Sequence, residues 1–349
     1  MKRSMIAVVG VVAMLLAAGA AQATITMETV TVGNAGNAAD MRYNLEYKYG
    51  HMAGYGAVAY TYNISKYEVT AGQYTEFLNA VGATDTYALY NEDMDPIPNS
   101  GITRSGVSGS YTYSVAAAVT NRPVSLVSWG DAARFANWLA NGQPTGAQNA
   151  STTEDGSYYL NGATTDAELL AVTRKANATW ALPTEDEWYK AAYYNQATST
   201  YFDYPTSSNT SPGQDMADAS GNNANTRGAV YPIDSPYYTT KAGEFQDSDS
   251  PYGTFDQGGN VWEWDEDIFD VVTYDVNGDP ISGVPTWRGL RGGSYQDTAG
   301  TLSAAYPNNN VPTLERYNIG FRVVPEPATL ALLALGGVGV VIRRRRTVR

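Results

Sequence analysis

The sequence predicts an α+β domain, loop-rich and low in regular secondary structure. Three observations carry this reading. Few windows show the helical spacing of apolar residues, the strand-like segments are short, and the connections are long and rich in Gly, Ser, Thr and Asn.

The elements follow in chain order. Val58, Tyr60, Tyr62 and Ile64 alternate with Ala59, Thr61 and Asn63, the period-two pattern of a strand with one apolar face. Thr70-Ala71-Gly72-Gln73 reads as a capping box. Tyr74, Phe77, Leu78 and Val81 follow at i, i+3, i+4 and i+7 and predict a short amphipathic helix. Ser128-Trp129-Gly130-Asp131 opens a second helix, with Ala132, Phe135, Ala136 and Leu139 as its buried stripe. Pro183 and the run Thr184-Glu185-Asp186-Glu187 open a third, with Trp188, Ala191 and Ala192 facing inward. The stretches 141–162 and 198–225 hold too few apolar residues for a core of their own and read as surface loops of one domain. Short strands return at 287–290 and 318–324, and no internal repeat is evident.

Both ends read as processing signals. Lys2 and Arg3 precede an apolar run, 5–18, and the segment closes on Ala21-Gln22-Ala23, a secretory cleavage pattern. Residues 1–23 are therefore expected to be a signal peptide, with the mature chain starting near Thr24. At the other end Pro325-Glu326-Pro327 leads into an apolar or small run, 328–342, broken only by Thr329, and then four arginines, 343–346. As a helix this run spans about 22 Å, short of the ~30 Å hydrocarbon core unless the arginines snorkel. The segment 325–349 resembles the PEP-CTERM sorting signal of Gram-negative bacteria. The resemblance implies exosortase-type sorting machinery as a partner, transient inner-membrane anchoring by the tail, and a body, 24–324, at the cell surface or in extracellular polysaccharide. A permanent single-span anchor is the alternative.

Seven of the 22 basic residues lie in these two ends, leaving 15 in the body against 34 of the 35 acidic ones, a net charge of −19. Such a surface repels nucleic acid and anionic lipid, so no nucleic-acid partner is expected. The chain has no cysteine, so an exported body has no disulfide and relies on burial or bound ions.

A family resemblance rests on an ordered set of segments: Ile64-Ser65-Lys66-Tyr67-Glu68-Val69-Thr70, Pro123-Val124-Ser125-Leu126-Val127-Ser128-Trp129, Leu182-Pro183-Thr184-Glu185-Asp186-Glu187-Trp188, Gly259-Asn260-Val261-Trp262-Glu263-Trp264, Arg288-Gly289-Leu290-Arg291-Gly292-Gly293-Ser294-Tyr295 and Ile319-Gly320-Phe321-Arg322. Together they resemble the formylglycine-generating enzyme, or sulfatase-modifying factor, family across 58–324. The resemblance implies an elaborated C-type-lectin-like fold stabilised by calcium. Arg291 and Arg322 sit in apolar contexts and are expected to be buried against acids such as Glu187 or Glu263. Gly258, Gly259, Gly292 and Gly293 are expected where the backbone excludes other residues.

By the same resemblance, the parent reaction oxidises a substrate cysteine with copper(I) held by two thiolates. Soft Cu(I) prefers sulfur, and the two cysteine positions fall on Asp297 and Leu302, while Ser294 matches a family serine; no copper is expected. A branch of the fold with a three-histidine iron site is not matched either, because the single histidine, His51, precedes the matched region. Paired carboxylates for glycoside hydrolysis stay open, with Asp297 and Glu263 as candidates.

The resemblance leaves calcium, a hard ion that takes six to eight oxygens. It places one ion on Asn260, the Val261 carbonyl and Glu263. It places another on Asn225, the Thr226 carbonyl and a later Asp, for which Asp234 stands at a shortened spacing. A metal-free hydrogen-bond network of these residues is the alternative. Two functions remain: a non-catalytic, calcium-stabilised surface domain that binds glycan or protein, and a divergent oxidoreductase or carboxylate-dependent hydrolase. The missing thiols and histidines favour the first.

Overall fold

The computed structural model describes residues 24–43, 54–95, 97, 98, 100–274 and 280–325. The expected signal peptide, His51 and the tail beyond Pro325 lie outside the described residues.

Along the chain run β1 (Thr29–Val32), β2 (Tyr62–Ser65), α1 (Ala71–Val81), β3 (Ile102–Ser105), β4 (Thr112–Val115), α2 (Trp129–Ala140), α3 (Asp166–Ala171), β5 (Trp180–Ala181), α4 (Glu185–Tyr193), β6 (Tyr194–Asn195), β7 (Thr200–Tyr201), β8 (Trp262–Tyr274), β9 (Pro280–Arg291), β10 (Asn308–Asn310), β11 (Ile319–Phe321) and β12 (Val324–Pro325). The long antiparallel pair β8–β9 is flanked by β10, antiparallel to β9, and by β11, parallel to β8. The other strands pair in twos: β1 with β2, β3 with β4, β5 with β12, β6 with β7. Short helices and long connections complete an α+β, loop-rich architecture.

Each of α1 to α4 begins on a reciprocal capping box: Thr70 with Gln73, Ser128 with Asp131, Thr165 with Glu168 and Thr184 with Glu187. Three were legible as helices. The six-residue α3 was not, although Thr165-Asp166-Ala167-Glu168 carries the same signature, because it buries Leu169 alone and shows no apolar period. The expected stripe of α1 is buried. Helix α2 goes further than a stripe, since its residues through Leu139 are buried on every side. The alternation at 58–64 becomes a ladder only over β2, because its partner β1 is four residues long. Tyr60 instead sends its hydroxyl to Glu187 (2.8 Å). The stretch 141–162 is not purely superficial: Asn137 Nδ2 donates to the carbonyls of Thr153 (2.7 Å) and Tyr158 (3.0 Å) and packs it onto α2.

One apolar cluster gathers α1 and α2 around Phe77, Phe135, Trp138, Trp264 and Phe321. A second, rich in tyrosine, gathers Trp188, Tyr189 and Tyr193 of α4 with Tyr55, Tyr62 and Tyr201. Buried ion pairs accompany them: Arg322 with Glu263 (2.5 Å), Arg291 with Glu185 (2.5 Å) and Arg134 with Glu154 (2.7 Å). Arg322 meets an acid expected for it. Arg291 meets Glu185 instead, because Glu187 folds back to accept from the Thr184 N–H (2.8 Å) and pairs with Arg174 (3.1 Å). Among the described residues, no helix is long and apolar enough to cross a membrane.

Asp131 and Glu315 line one groove of about 250 Å³ with Tyr87 and Arg134. Burial pushes Asp131 up to about 6; burial and then the Asp131 charge push Glu315 up to about 7. Their folded pKa values lie above the ordinary carboxylate range, so the folded state holds protons that the unfolded chain releases near pH 4. The stability this contributes is complete below that pH and is lost as pH rises through about 6 to 7. Glu315→Gln, which keeps an acceptor for Asn91, is therefore expected to be more stable than the parent at pH 8 and to flatten the decline from pH 5 to 8. Urea unfolding at both pH values checks this, and parallel pH profiles for the two proteins would contradict it.

Candidate functional site

The centre of the domain is built where the chain turns into β8. Gly259 has φ +83°, and a Cβ there would lie 2.3 Å from the Asn225 carbonyl oxygen. This close approach lets the Asn260 N–H donate to that carbonyl (2.9 Å) and brings the two asparagines together, Asn225 Nδ2 donating to Asn260 Oδ1 (3.2 Å). Asn260 Oδ1 also accepts from the Thr240 N–H (2.9 Å), and Asn260 Nδ2 donates to Glu68 Oε2 (2.8 Å). The Val261 N–H reaches the other Glu68 oxygen (3.2 Å). Within β8, Glu263 Oε2 accepts from Trp188 Nε1 (2.7 Å) and Arg322 Nε (2.5 Å), while Oε1 accepts from Arg322 Nη2 (2.6 Å).

The structure thus joins Asn225, Asn260 and Val261 and sets Glu263 in the same buried polar centre. As placed, these residues do not fit a calcium ion. Both Glu263 oxygens are taken by N–H donors, and Arg322 already supplies the positive charge. The Thr226 carbonyl accepts from Gln214 Nε2, and Asp234 lies apart, paired with Arg122 (2.6 Å). The Tyr238 carbonyl accepts from Asn225 Nδ2 (2.9 Å) and Thr240 serves Asn260, so Asp234 has no part beside either asparagine. Glu68 was missed as a member of this centre. Its carboxyl is held well above the ordinary range by burial and then by the charges of Asp256 and Glu263, and burial pushes Asp256 up to about 6. The available signal was an acid between Tyr67 and Val69 in an apolar run.

The two positions matching the family cysteines have separate fates. Leu302 is fully buried and packs against Gly293, where a Cβ would meet it at 2.8 Å. Asp297 sits half-buried at the rim. Its Oδ2 accepts from Ser294 Oγ (2.5 Å) and Trp262 Nε1 (2.9 Å), and Ser294 Oγ in turn accepts from Asn318 Nδ2 (3.2 Å). Tyrosines surround this polar knot. Tyr295 stacks on Tyr231 and Tyr238, which tilt against each other by 30°, with centroids 5.3–6.3 Å apart. Tyr306 tilts over Trp262 at 6.3 Å. Tyr231, Tyr306 and Tyr317 are 40%, 48% and 46% exposed, large for ring-bearing side chains. Burial first, then the neighbouring Tyr231, Tyr317 and Tyr238, keep the Tyr295 phenol protonated. The rim is therefore a shelf of flat apolar rings edged by amide, hydroxyl and carboxylate groups. Of the shelf only Ser294, Tyr295 and Trp262 fall in the sequence motifs; the other tyrosines lie on loops with no period to mark them.

The model of the sulfatase-modifying factor enzyme 1-like domain matches residues 20–327, and that of the PEP-CTERM protein-sorting motif matches residues 323–346. The serine/threonine-protein kinase pkn1 of Chlamydia caviae is 34% identical over 80 residues, and its namesake in Chlamydia pneumoniae is 32% identical over 80. Each match takes in 21% of this chain and 13% of the relative's length. Among solved structures, CarF superposes with a TM-score of 0.51 at 21% identity, covering 86% of this chain and 99% of that one. PvdO from Pseudomonas aeruginosa gives 0.43 at 21% identity, covering 86% and 92%. The CarF likeness is one of fold.

Glu263→Gln would leave the Arg322 guanidinium buried without its anion and is expected to cost about 3–5 kcal/mol. EGTA is expected to leave the melting temperature of the parent unchanged. Thermal melts with and without chelator check both, and a melting temperature that falls in EGTA and returns with calcium would contradict the network reading.

Proposed function

The chain belongs to the sulfatase-modifying factor enzyme 1-like family, and from that premise we propose that its domain is a glycan-binding module rather than an oxidase. The PEP-CTERM motif makes it an exported, cell-envelope-associated protein recognised by exosortase-type sorting machinery. On this reading the tail holds the body transiently at the inner membrane before the body passes to the surface or to extracellular polysaccharide. Hydrogen bonds and ion pairs, not a bound calcium, hold the polar centre.

The observation that carries the proposal is the ring of exposed Tyr231, Tyr306 and Tyr317 around the Ser294–Asp297–Trp262 knot. A pyranose offers an apolar C–H face and polar edges, and the shelf offers rings beside hydrogen-bonding groups. Tyrosine gives broad contact with few torsions to freeze. The parent chemistry has no footing here, since two thiolates are required and the chain has no cysteine. The net negative charge directs the shelf towards neutral or amine-bearing glycans and away from polyanionic ones.

Tyr231→Ala and Tyr317→Ala are each expected to weaken binding of a neutral polysaccharide about three- to tenfold, the equivalent of roughly 0.7–1.4 kcal/mol, with the fold intact. Affinity electrophoresis of the purified body in neutral and in polyanionic polysaccharide measures this. Retardation that is unchanged when both tyrosines are removed, or that is strongest in the polyanion, would contradict the proposal.

A further inference from the structure

The sorting motif and the folded body share residues. The motif begins at 323, yet Val323 and Val324 are fully buried. Val323 is pinned from both sides: its carbonyl accepts from the Ser65 N–H (2.8 Å) and its own N–H donates to Ser65 Oγ (3.1 Å). Val324 and Pro325 then form β12, with Val324 opposite Ala181 and Pro325 opposite Trp180 in β5. Immediately upstream is the buried Arg322–Glu263 pair. The first proline of Pro325-Glu326-Pro327 is thus a residue of the domain's last strand, not of a linker.

No slack compensates for this. Between Pro325 and the apolar run that starts at residue 328 stand only Glu326 and Pro327, at most about 7 Å of extended chain. On the proposed reading that the tail holds the body only transiently, the sorting machinery releases the body by hydrolysing a peptide bond at this motif, and to bind the motif as an extended segment it must take hold of residues the body is using. We infer that the body and the sorting machinery compete for residues 323–325, so the motif is handed over only while β12 is undocked from β5 and β2. A two-residue strand ending in a proline, which cannot donate to the ladder, is a natural first element to open. Anchored chains with β12 docked would be held back, and tail removal would report whether the C-terminal strand is engaged.

The test uses the full chain in cells that carry the matching sorting machinery, following loss of the C-terminal arginine cluster after a pulse of synthesis. In one variant a flexible Gly/Ser linker and a second copy of Val-Val-Pro are inserted after Pro325, so the body keeps its own strand and the motif is whole and free. In another, Val324→Asp removes the apolar anchor of β12. Both are expected to lose the tail several-fold faster than the parent. The linker variant decides the matter even where Val324→Asp does not fold, because it leaves the body intact. Tail loss from the linker variant at a rate equal to or slower than the parent's overturns the inference.

Discussion

One guanidinium holds the centre of this domain together. Arg322 and Glu263 are both fully buried, and removing two such charges from water costs several kcal/mol that only close geometry returns. The geometry is close. Two N–H groups of Arg322 bond the Glu263 carboxylate, Nη1 donates to the Ser65 carbonyl (3.0 Å) and Nη2 to the Phe255 carbonyl (2.9 Å). Trp188 of α4 adds its indole N–H to the same carboxylate. A single ion pair thereby ties together β2, β8, α4 and the segment after β11. Gly320 stands opposite Glu263 in the parallel β11–β8 pair, and only glycine fits there, since a Cβ would lie 2.5 Å from the Val124 carbonyl oxygen. In an exported chain without disulfides, this pair and its neighbours do the cross-linking by hydrogen bonds and charge.

The same strand runs from the buried polar centre to the rim. Successive side chains of β8 point to opposite faces, so Glu263 faces Arg322 and α4 while Trp262 and Trp264 face away from it. Trp264 donates to the Val127 carbonyl (3.0 Å) in the core, and Trp262 reaches Asp297 at the rim. Leu302 closes the interior where the family places a thiol, and Asp297 turns the other thiol position outward into a hydrogen-bonded knot. Exposed Tyr231, Tyr306 and Tyr317 lie on the rim beside that carboxylate.

Much of the fold was legible in the sequence because it is written in local chemistry. The capping boxes at Thr70, Ser128 and Thr184 needed no tertiary information, and the burial of Arg291 and Arg322 against acids was expected because charges in apolar surroundings must find partners, though which acid serves which arginine was left open. What escaped depends on approach between distant segments. Nothing local distinguishes Glu185 from Glu187 as the partner of Arg291; the choice is made by Glu187 serving its own helix cap. Glu263 looked like a metal ligand by resemblance, and only the arrival of Arg322 and Trp188 at its two oxygens made it the anion of a buried pair. The shelf is assembled from tyrosines on separate loops, which no spacing rule connects. Asp234, taken at a shortened spacing, belongs to Arg122, and Asn225 Nδ2 donates instead to the Tyr238 carbonyl and to Asn260 Oδ1.

The central claim is that the Glu263–Arg322 pair acts as a unit on which the fold depends. A double-mutant cycle measures this directly, using Glu263→Gln, Arg322→Met and the double variant in urea unfolding at neutral pH. Each single change strands a buried charge, whereas the double change strands none, so the double variant is expected to be less destabilised than the sum of the two, with a coupling of about 2–3 kcal/mol. Additive losses, within about 0.5 kcal/mol, would show that the two residues act independently and would contradict the account.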